Sequence, residues 1–254
     1  MRITFLGTGT SQGIPVITCK CDVCRSEDQM DKRLRSSILV ETNGITIVID
    51  AGPDFRQQML RENVQNLDAI LITHEHKDHV GGIDDVRAFN YKSRKAIDIY
   101  CDKLVSRTIM NEYAYVFNGG GYPGIPRMNI NLIENRAFNI SGNKIIPVLA
   151  YHNELPVFGF RISDLSYLTD ASLIPDESMA LMKGSRILVI NALRKQKHIS
   201  HFSLDEALEV INYLEPEKAY ITHIGHQMGR HAEVNRELPA NVELAFDGLK
   251  LELD

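Results

Sequence analysis

The sequence predicts a mixed α/β fold in which β-sheets are covered by helices. Short segments of apolar and β-branched residues recur along the whole chain of 254 residues, and segments with helix-capping signals lie between them. The composition, 44% hydrophobic and 24% charged, is that of an ordinary globular protein. Neither a linker nor an internal repeat interrupts this pattern, so we expect a single domain over residues 1–254.

In the first half of the chain, strand and helix signals alternate. Predicted strands cover Ile3–Leu6, Ser37–Glu41, Thr46–Ile49, Ala69–Thr73 and Ile97–Tyr100, and predicted helices cover Phe55–Arg61, Gly82–Tyr91 and Lys103–Tyr113. Asn43-Gly44 predicts a tight hairpin turn between the second and third strands, because both residue types tolerate positive φ. The glycine- and proline-rich segment from Phe117 to Pro126 predicts a loop, which is either a lid over a site or a surface loop.

The second half continues the alternation. Strands are predicted at Lys144–Ala150, Val157–Ile162, Ser166–Leu168, Ile187–Ile190 and Ala219–Thr222, and helices at Asp176–Met182, Leu204–Leu214 and about Ala232–Leu238. Ser203 and Glu206 have the spacing of a capping box at the start of the second helix. Asp247-Gly248 predicts a C-terminal hairpin between Val242–Leu244 and Leu249–Leu251. Arg33, before a strand, and His231, at a polar helix start, are expected to be exposed to solvent.

The chain carries signals for neither membrane insertion nor binding to long nucleic acids. No apolar run approaches the roughly 20 residues that span a bilayer, and the N-terminal segment resembles a first strand more than a signal peptide. We therefore expect a cytoplasmic protein without membrane contact. A net charge of −5 gives no overall basic surface, so extended nucleic acid is not the expected partner.

Three histidines and an aspartate lie within six residues, directly after a predicted buried strand. They are His74, His76, Asp78 and His79. Imidazole nitrogens and carboxylate oxygens are the usual protein ligands of zinc, manganese and iron. A turn that leaves a strand can direct alternate side chains inward, so we expect His74 and His76 to bind one ion, and Asp78 with His79 to bind a second. The alternative, a solvated polar loop, rarely has so dense a pattern.

Three more candidate ligands lie where predicted apolar strands meet loops. They are His152, Asp170 and His223. Sites in α/β proteins commonly lie at this edge of the sheet, so we expect these residues to complete a two-metal site, with Asp170 bridging both ions. Asp50, at the end of the strand Thr46–Ile49, either orients the histidine segment by hydrogen bonding or only caps its strand.

A second constellation consists of three thiols within six residues, in a loop over about residues 17–27. They are Cys19, Cys21 and Cys24. A tetrahedral zinc ion needs a fourth ligand, and His226 is the candidate. The alternatives are a flexible loop with reduced thiols and a disulfide, which such crowded spacing in a cytosolic chain does not favour. Cys101 ends a strand and is expected to pack in the core.

Together these residues resemble the metallo-β-lactamase superfamily over essentially the whole chain. The resemblance rests on the histidine and aspartate positions above and on the segments Phe5–Ser11 and Asp50–Gly52. It implies a four-layer αββα sandwich with metal ions at one edge. The thiol cluster makes the chain similar to PhnP-like phosphodiesterases, which cleave cyclic phosphate esters, and implies a structural zinc ion bound by Cys19, Cys21, Cys24 and His226.

The resemblance implies a hydrolase in which two divalent ions, zinc or manganese, activate a water molecule for attack on phosphorus. The departing alkoxide needs a proton, which the resemblance assigns to His201, with His198 as the rival; Asp78 is both a ligand and an acceptor for the proton of the nucleophile. The expected substrates are ribose 1,2-cyclic phosphate or 2′,3′-cyclic nucleotides, without an assigned substrate-binding residue. Family similarity alone predicts a homodimer.

Three other functions stay open at the level of sequence. A tRNA 3′-processing endonuclease is disfavoured because the chain lacks a long basic, glycine-rich arm. Hydrolysis of β-lactams or thioesters fits the thiol loop poorly. A non-hydrolytic protein of cofactor biosynthesis, similar to PqqB, is the alternative from a different functional class.

Overall fold

The chain is described by a computed structural model that covers residues 1–118 and 124–253. Within these residues it forms two compact units, of which the first comprises Met1–Leu6, Ser37–Glu134 and the segment from Lys250, and the second comprises Gly7–Ser36 and Asn135–Leu249. The prediction of a single domain stays a prediction. Across the described residues, every helix is too short or too polar to cross a membrane.

The first unit contains a seven-stranded mixed sheet, in the order β14-β1-β2-β3-β4-β5-β6 among its described residues. Its strands are β1 (Arg2–Gly7), β2 (Ser37–Thr42), β3 (Ile45–Ile49), β4 (Ala69–Leu71), β5 (Ile97–Cys101), β6 (Met128–Leu132) and β14 (Lys250–Glu252). The hairpin between β2 and β3 turns at Asn43 and Gly44, with φ of 46° and 79°, as predicted. From β3 to β6 neighbouring strands are parallel, so their carboxyl ends share one edge.

Helices of the first unit pack against this sheet. They are α1 (Phe55–Arg61), α2 (Lys77–Val80), α3 (Arg87–Ser93), α4 (Lys103–Glu112) and α5 (Ala114–Phe117), with a 3-10 turn at Ile83–Val86. Phe55, Phe89 and Ile109 join Val48 and Ile70 of the sheet in one buried cluster, which fixes the strand ends that carry candidate ligands.

The second unit contains another seven-stranded mixed sheet in its described residues, in the order β13-β12-β11-β10-β9-β8-β7. Its strands are β7 (Phe138–Ile140), β8 (Asn143–His152), β9 (Leu155–Ile162), β10 (Leu165–Leu168), β11 (Ile187–Asn191), β12 (Lys218–Thr222) and β13 (Val242–Leu244). The strands from β7 to β10 are antiparallel neighbours, whereas β10, β11, β12 and β13 are parallel. The carboxyl ends of these four parallel strands therefore lie along one edge.

Three helices within the described part of the second unit connect the parallel strands. They are α6 (Asp176–Met182), α7 (Leu204–Leu214) and α8 (His231–Glu237), and 3-10 turns occur at Gln29–Asp31 and His226–Met228. The capping box predicted at α7 is present, since Ser203 and Glu206 exchange side-chain and backbone hydrogen bonds. Met182, Ile211 and Val234 of these helices share a buried cluster with sheet residues.

The structure corrects several predicted elements. Val242–Leu244 and the C-terminal strand form no hairpin, because β13 pairs parallel with β12 and β14 pairs antiparallel with β1 in the other sheet. The predicted helix Gly82–Tyr91 is a 3-10 turn followed by α3, while α2, α5, β6 and β7 were not predicted. The predicted loop Phe117–Pro126 lies partly outside the described residues, and its first residue ends α5.

Arg33 and His231 are buried, contrary to the prediction that solvent surrounds them, with 3% and 4% exposure. Arg33 Nη1 donates to Thr8 Oγ1 at 2.7 Å and to the Ala245 carbonyl, and Arg33 Nη2 lies 3.1 Å from His231 Nδ1. The His231 amide donates to Asp31 at 2.7 Å. Burial lowers the pKa of Arg33 to about 10, although nearby aspartates oppose this effect. Hydrogen bonding thus compensates for burial of the guanidinium group.

Candidate metal centre

The first group of predicted ligands follows β4 in the first unit. Two backbone hydrogen bonds of 2.8 Å hold it beside the end of β3, from Ala51 N–H to the His79 carbonyl and from Gly82 N–H to the Ala51 carbonyl. A Cβ atom at position 82 would overlap the Gly52 carbonyl oxygen. Glycine is therefore required where the histidine segment passes this strand end.

His74 and His76 present ring nitrogens to each other. His74 Nε2 lies 3.0 Å from His76 Nδ1, and the ring centroids are 4.6 Å apart. Two nitrogens that share one tetrahedral zinc ion, with bonds of about 2.0–2.1 Å, are separated by about 3.3 Å. The observed pair is close to that distance, and His74 is fully buried. The donor set thus fits a divalent cation.

Asp50 organises the histidine segment from the end of β3. Its carboxylate accepts hydrogen bonds from the Thr73 amide at 2.9 Å, from Thr73 Oγ1 at 2.9 Å and from His79 Nδ1 at 2.7 Å. Burial raises the pKa of Asp50, and the contacts with His79 and Thr73 oppose this effect. Because Thr73 Oγ1 donates to Asp50, its lone pair accepts from His74 Nδ1 at 3.0 Å. One carboxylate thereby sets the tautomers of two histidines.

The hydrogen bond to Asp50 directs the other ring nitrogen of His79 towards Asp78. His79 Nε2 lies 3.1 Å from Asp78 Oδ2, and the ring centroids of His79 and His74 are 4.2 Å apart. The structure therefore brings all four predicted ligands of the first unit together within one segment.

The second group of predicted ligands lies at strand ends of the second unit. His152 is the last residue of β8, Asp170 follows β10 by two residues, and His223 directly follows β12. Asp170 Oδ2 lies 3.1 Å from His223 Nδ1 and accepts a 2.7 Å hydrogen bond from Thr169 Oγ1. Thr10 Oγ1 lies 3.1 Å from His223 Nε2. Asp170 is therefore at the centre of this group.

His152 and the predicted proton donor His201 are coupled through one loop. His152 Nδ1 donates to the Ser200 carbonyl at 2.7 Å, which fixes its tautomer. Candidate ligand atoms of His152, Asp170 and His201 all lie within 4.8 Å of one another. His198, the rival of His201, has its ring centroid 5.2 Å from that of His201.

The His201 imidazole is held among other side chains of this group. Its Nδ1 lies 3.7 Å from Asp170 Oδ1, and its ring stacks on that of His223 with a centroid distance of 4.9 Å. Burial lowers the pKa of His201 to about 3; His223 adds to the effect and Asp170 opposes it. In the absence of a bound cation, His201 is neutral at pH 7.

Three of the residues at these strand ends adopt a left-handed backbone. The φ angles are 64° for Asp50, 56° for Asp170 and 54° for His223. A non-glycine residue in this region costs about 1–2 kcal/mol, and such strain concentrates at functional sites. The surrounding hydrogen bonds must therefore hold these residues in place.

The structure brings the three predicted thiols and His226 together within the second unit. His226 Nδ1 lies 3.3 Å from Cys19 Sγ, 3.3 Å from Cys21 Sγ and 3.6 Å from Cys24 Sγ. A tetrahedral zinc ion with Zn–S of about 2.3 Å and Zn–N of about 2.0–2.1 Å separates sulfur from nitrogen by about 3.6 Å. The donor atoms thus fit a structural zinc ion with small adjustments.

Backbone amides and the imidazole give one thiol the character of a thiolate. Burial raises the pKa of Cys21, but the Cys24 amide, His226 and the neighbouring thiols outweigh it and lower this pKa to about 6. Burial raises the pKa of Cys24 to about 11. A cluster that is already partly ionised at neutral pH favours a soft cation. Cys101 is buried in β5 as predicted.

Sequence reasoning missed the residues that orient the candidate ligands. Thr73 orients His74, Ser200 orients His152 through its carbonyl, and Thr10 contacts His223. Thr73 adjoins His74 in sequence, which was an available signal, whereas Ser200 and His152 lie 48 residues apart. Thr10 and His223 are far apart in sequence, so no local pattern indicates their contact.

Comparisons with known proteins agree with this architecture. A family model described as "Beta-lactamase superfamily domain" matches residues 46–224. The crystal structure of a new diphosphatase from the PhnP family is 39% identical, with a TM-score of 0.93, and the match covers 100% of this chain and 98% of that chain. Zn(2+)-bound PqqB from Methylobacterium extorquens is 17% identical, with a TM-score of 0.82 over the whole of both chains, which shows the shared fold.

A curated relative, an octanoyltransferase of Porphyromonas gingivalis, is 37% identical over 257 residues. The match covers 100% of this chain and 52% of that protein, so the chain spans about half the length of this relative. The predicted mixed α/β class and its fold are confirmed by these matches. The chain belongs to the metallo-β-lactamase superfamily of hydrolases and is close to its PhnP-like members.

Proposed function

We propose that this chain is a metal-dependent phosphodiesterase that hydrolyses small cyclic phosphate esters of the ribose 1,2-cyclic phosphate or 2′,3′-cyclic nucleotide type. The observation that carries the proposal is the set of imidazole and carboxylate donors, oriented by buried hydrogen bonds, at strand ends of each unit. The 39% identity to a PhnP-family diphosphatase supports phosphoester chemistry.

Two divalent ions, zinc or manganese, are the proposed cofactors of this site. Their proposed ligands are His74, His76, Asp78, His79, His152, Asp170 and His223. When bound, the ions lower the pKa of a water molecule and neutralise negative charge on the phosphoryl oxygens. The residues around them fix the tautomers beforehand, through Asp50 on one side and the Ser200 carbonyl on the other.

Asp78 and His201 are the proposed catalytic residues. Asp78, whose Oδ2 lies 3.1 Å from His79 Nε2, would accept the proton of the attacking water. His201 Nδ1 lies 3.7 Å from Asp170 Oδ1, beyond hydrogen-bonding distance, so the single proton of the neutral ring is proposed at Nε2, which delivers it to the departing alkoxide. A neutral imidazole holds one proton, and an alkoxide is basic enough to take it. His198 remains the alternative proton donor.

The thiol cluster has a supporting role in this proposal. A structural zinc ion bound by Cys19, Cys21, Cys24 and His226 ties the N-terminal loop to the segment that follows β12. His223, three residues before His226, then gains a fixed backbone. The cluster thus contributes to folding free energy rather than to the chemical step.

The test is hydrolysis of bis-p-nitrophenyl phosphate and of a panel of cyclic phosphates by protein of known metal content. We expect release of nitrophenol that zinc or manganese stimulates and a chelator abolishes, and opening of at least one cyclic phosphate. Turnover of bis-p-nitrophenyl phosphate but of no cyclic phosphate would support a phosphodiesterase and would contradict the proposed substrate class. No turnover with any metal, together with iron binding and oxygen consumption, would favour the PqqB-like alternative.

The named activity of the longer relative is a further candidate that this assay should include. We propose that octanoyl transfer belongs to the half of that relative which this chain does not match. All four cysteines lie in the described part of the chain; three belong to the cluster and Cys101 is fully buried, with its pKa raised to about 12 by burial. With the three cluster thiols bound to zinc in this proposal and Cys101 buried, we expect none of the four to carry an acyl group. Octanoyl transfer by the purified chain would contradict this assignment.

The homodimer and the cytoplasmic location stay predictions.

A further inference from the structure

A buried asparagine at the end of β11 clamps the residue after Asp170. Asn191 is fully buried. Its Oδ1 accepts from the Ala171 amide at 2.8 Å, and its Nδ2 donates to the Ala171 carbonyl at 2.9 Å. One carboxamide thereby satisfies both polar groups of a single residue. The Ala171 amide belongs to the peptide bond that Asp170 begins, so this clamp restrains ψ of Asp170, whose φ is 56°.

The clamped carbonyl also connects Asp170 to the loop of the proposed proton donor. Ala171 C=O accepts a second hydrogen bond, of 2.8 Å, from the Phe202 amide. Phe202 directly follows His201, and its own carbonyl accepts from the Leu193 amide at 3.0 Å. The position of His201 therefore depends on the same carbonyl that Asn191 holds.

The backbone of Asn191 also contacts the end of β12, which precedes the candidate ligand His223. Asn191 is paired with Thr222 in the parallel register of β11 and β12, and the Ala192 amide donates to the Thr222 carbonyl at 3.1 Å. Thr222 directly precedes His223. Asn191 thus lies between the strand ends that carry Asp170 and His223, and its side chain restrains one of them.

We propose that Asn191 is a positioning residue of the metal site, which sets the placement of the Asp170 carboxylate and of the His201 imidazole. The inference rests on the proposed function in that Asp170 and His201 are taken as ligand and proton donor. Asn191 is uncharged and both polar atoms of its carboxamide are hydrogen-bonded to Ala171, so it acts through the backbone. Its loss should lower metal affinity and kcat more than it raises KM.

Asn191→Asp is the sharpest test, because the side chain keeps its size. The carboxylate still accepts from the Ala171 amide but places an oxygen against the Ala171 carbonyl, where Nδ2 donated before.

Asn90→Asp is the matched control. Asn90 is also a buried carboxamide, which donates to the Lys95 and Arg127 carbonyls at 2.9 and 3.0 Å and accepts from the Arg127 amide at 2.8 Å.

The measurement is titration of the metal-free protein with Co2+, in which thiolate charge-transfer absorption reports the thiol cluster and weaker d–d bands report the His/Asp site. Loss of a residue that orients metal ligands typically costs about 10–100-fold in affinity. We expect Asn191→Asp to lose Co2+ affinity by this factor at the His/Asp site and to keep the wild-type affinity at the thiol cluster. Its kcat should be lower, at a similar KM. The Asn90→Asp control should lose thermal stability to a similar degree without this loss of affinity.

A loss of Co2+ affinity that exceeds that of the control by about threefold or more supports the inference, and a smaller difference overturns it. Should Asn191→Asp fail to fold, Asn191→Ser is titrated by the same criterion, since it removes the hydrogen bonds without reversing one. The titration needs no turnover. A wild-type protein that binds Co2+ at both kinds of site but hydrolyses no phosphodiester would therefore refute the proposed function and leave this test intact.

Discussion

Replacing Asp50 by asparagine tests whether one buried carboxylate sets the tautomers of His74 and His79. Asp50 Oδ2 accepts from both Thr73 Oγ1 and His79 Nδ1, while Oδ1 accepts from the Thr73 amide. An asparagine that keeps Oδ1 on the Thr73 amide places its NH2 group against His79. His79 must then accept at Nδ1 and hold its proton at Nε2, which is the nitrogen that faces Asp78.

In the same orientation the asparagine NH2 group also faces Thr73 Oγ1. The hydroxyl must then donate to His74 Nδ1, so the proton of His74 moves to Nε2. The opposite asparagine orientation avoids this but leaves the buried Thr73 amide facing a donor, which costs about 1–3 kcal/mol. Residues that orient metal-ligating histidines contribute about 10–100-fold in affinity, which corresponds to about 1.4–2.7 kcal/mol. The two estimates agree, so we expect Asp50→Asn to weaken metal binding by about this amount.

The assay is calorimetric titration of metal-free Asp50→Asn with zinc and manganese. Ser37→Ala is the control, because Ser37 Oγ donates to the main-chain carbonyl of Asp50 at 2.8 Å and not to its carboxylate. The control should bind metal like the wild type. Wild-type affinity in Asp50→Asn, or an equal loss in Ser37→Ala, would refute the assigned role of the carboxylate.

Three further predictions concern the thiol cluster, a buried histidine and the proposed proton donor. Cys21→Ser should release about one zinc ion per chain and lower the thermal unfolding midpoint by several degrees; unchanged zinc content and midpoint would reject the structural role. Burial and Arg33 lower the pKa of His231 from 6.5, so below about pH 6.5 only the unfolded chain gains this proton, and the free energy of unfolding falls as the pH falls. His231→Gln should make this decrease shallower in urea titrations between about pH 7 and 5, whereas an equal slope would show that the histidine does not contribute. His201→Ala should lower kcat by about 10²–10⁴-fold with unchanged metal content, and His198→Ala by less than about tenfold; the reverse ranking would assign proton donation to His198.

The sequence predicted most strand ends and indicated the segments that carry the candidate ligands, because both are local patterns. Candidate ligands such as His74 and His76 are two residues apart, and the helices Phe55–Arg61, Asp176–Met182 and Leu204–Leu214 have the predicted bounds. Periodicity and capping depend on residues within a few positions, so they are readable without a structure. The same holds for the spacing of the three cluster cysteines.

Strand partners and buried polar contacts depend on residues far apart in sequence, and these are where the predictions were wrong or incomplete. Asp247-Gly248 has the sequence of a hairpin turn, yet Asp247 accepts hydrogen bonds from Thr8 Oγ1 and the Leu34 amide, both at 2.8 Å. The flanking strands then pair in different sheets. Burial of Arg33 beside His231 is likewise set by contacts about 200 positions apart. Asn191 carried no local signal, since its partner Ala171 lies 20 residues away.

The number of metal ions bound per chain tests the central claim most directly. Elemental analysis of the purified wild type and of Cys21→Ser, with protein concentration from amino-acid analysis, gives this number without assuming a substrate. The account predicts about three ions per wild-type chain and about two in the variant, because two ions belong to the histidine and aspartate ligands and one to the thiols. A wild type with about one ion, which Cys21→Ser loses, would contradict it.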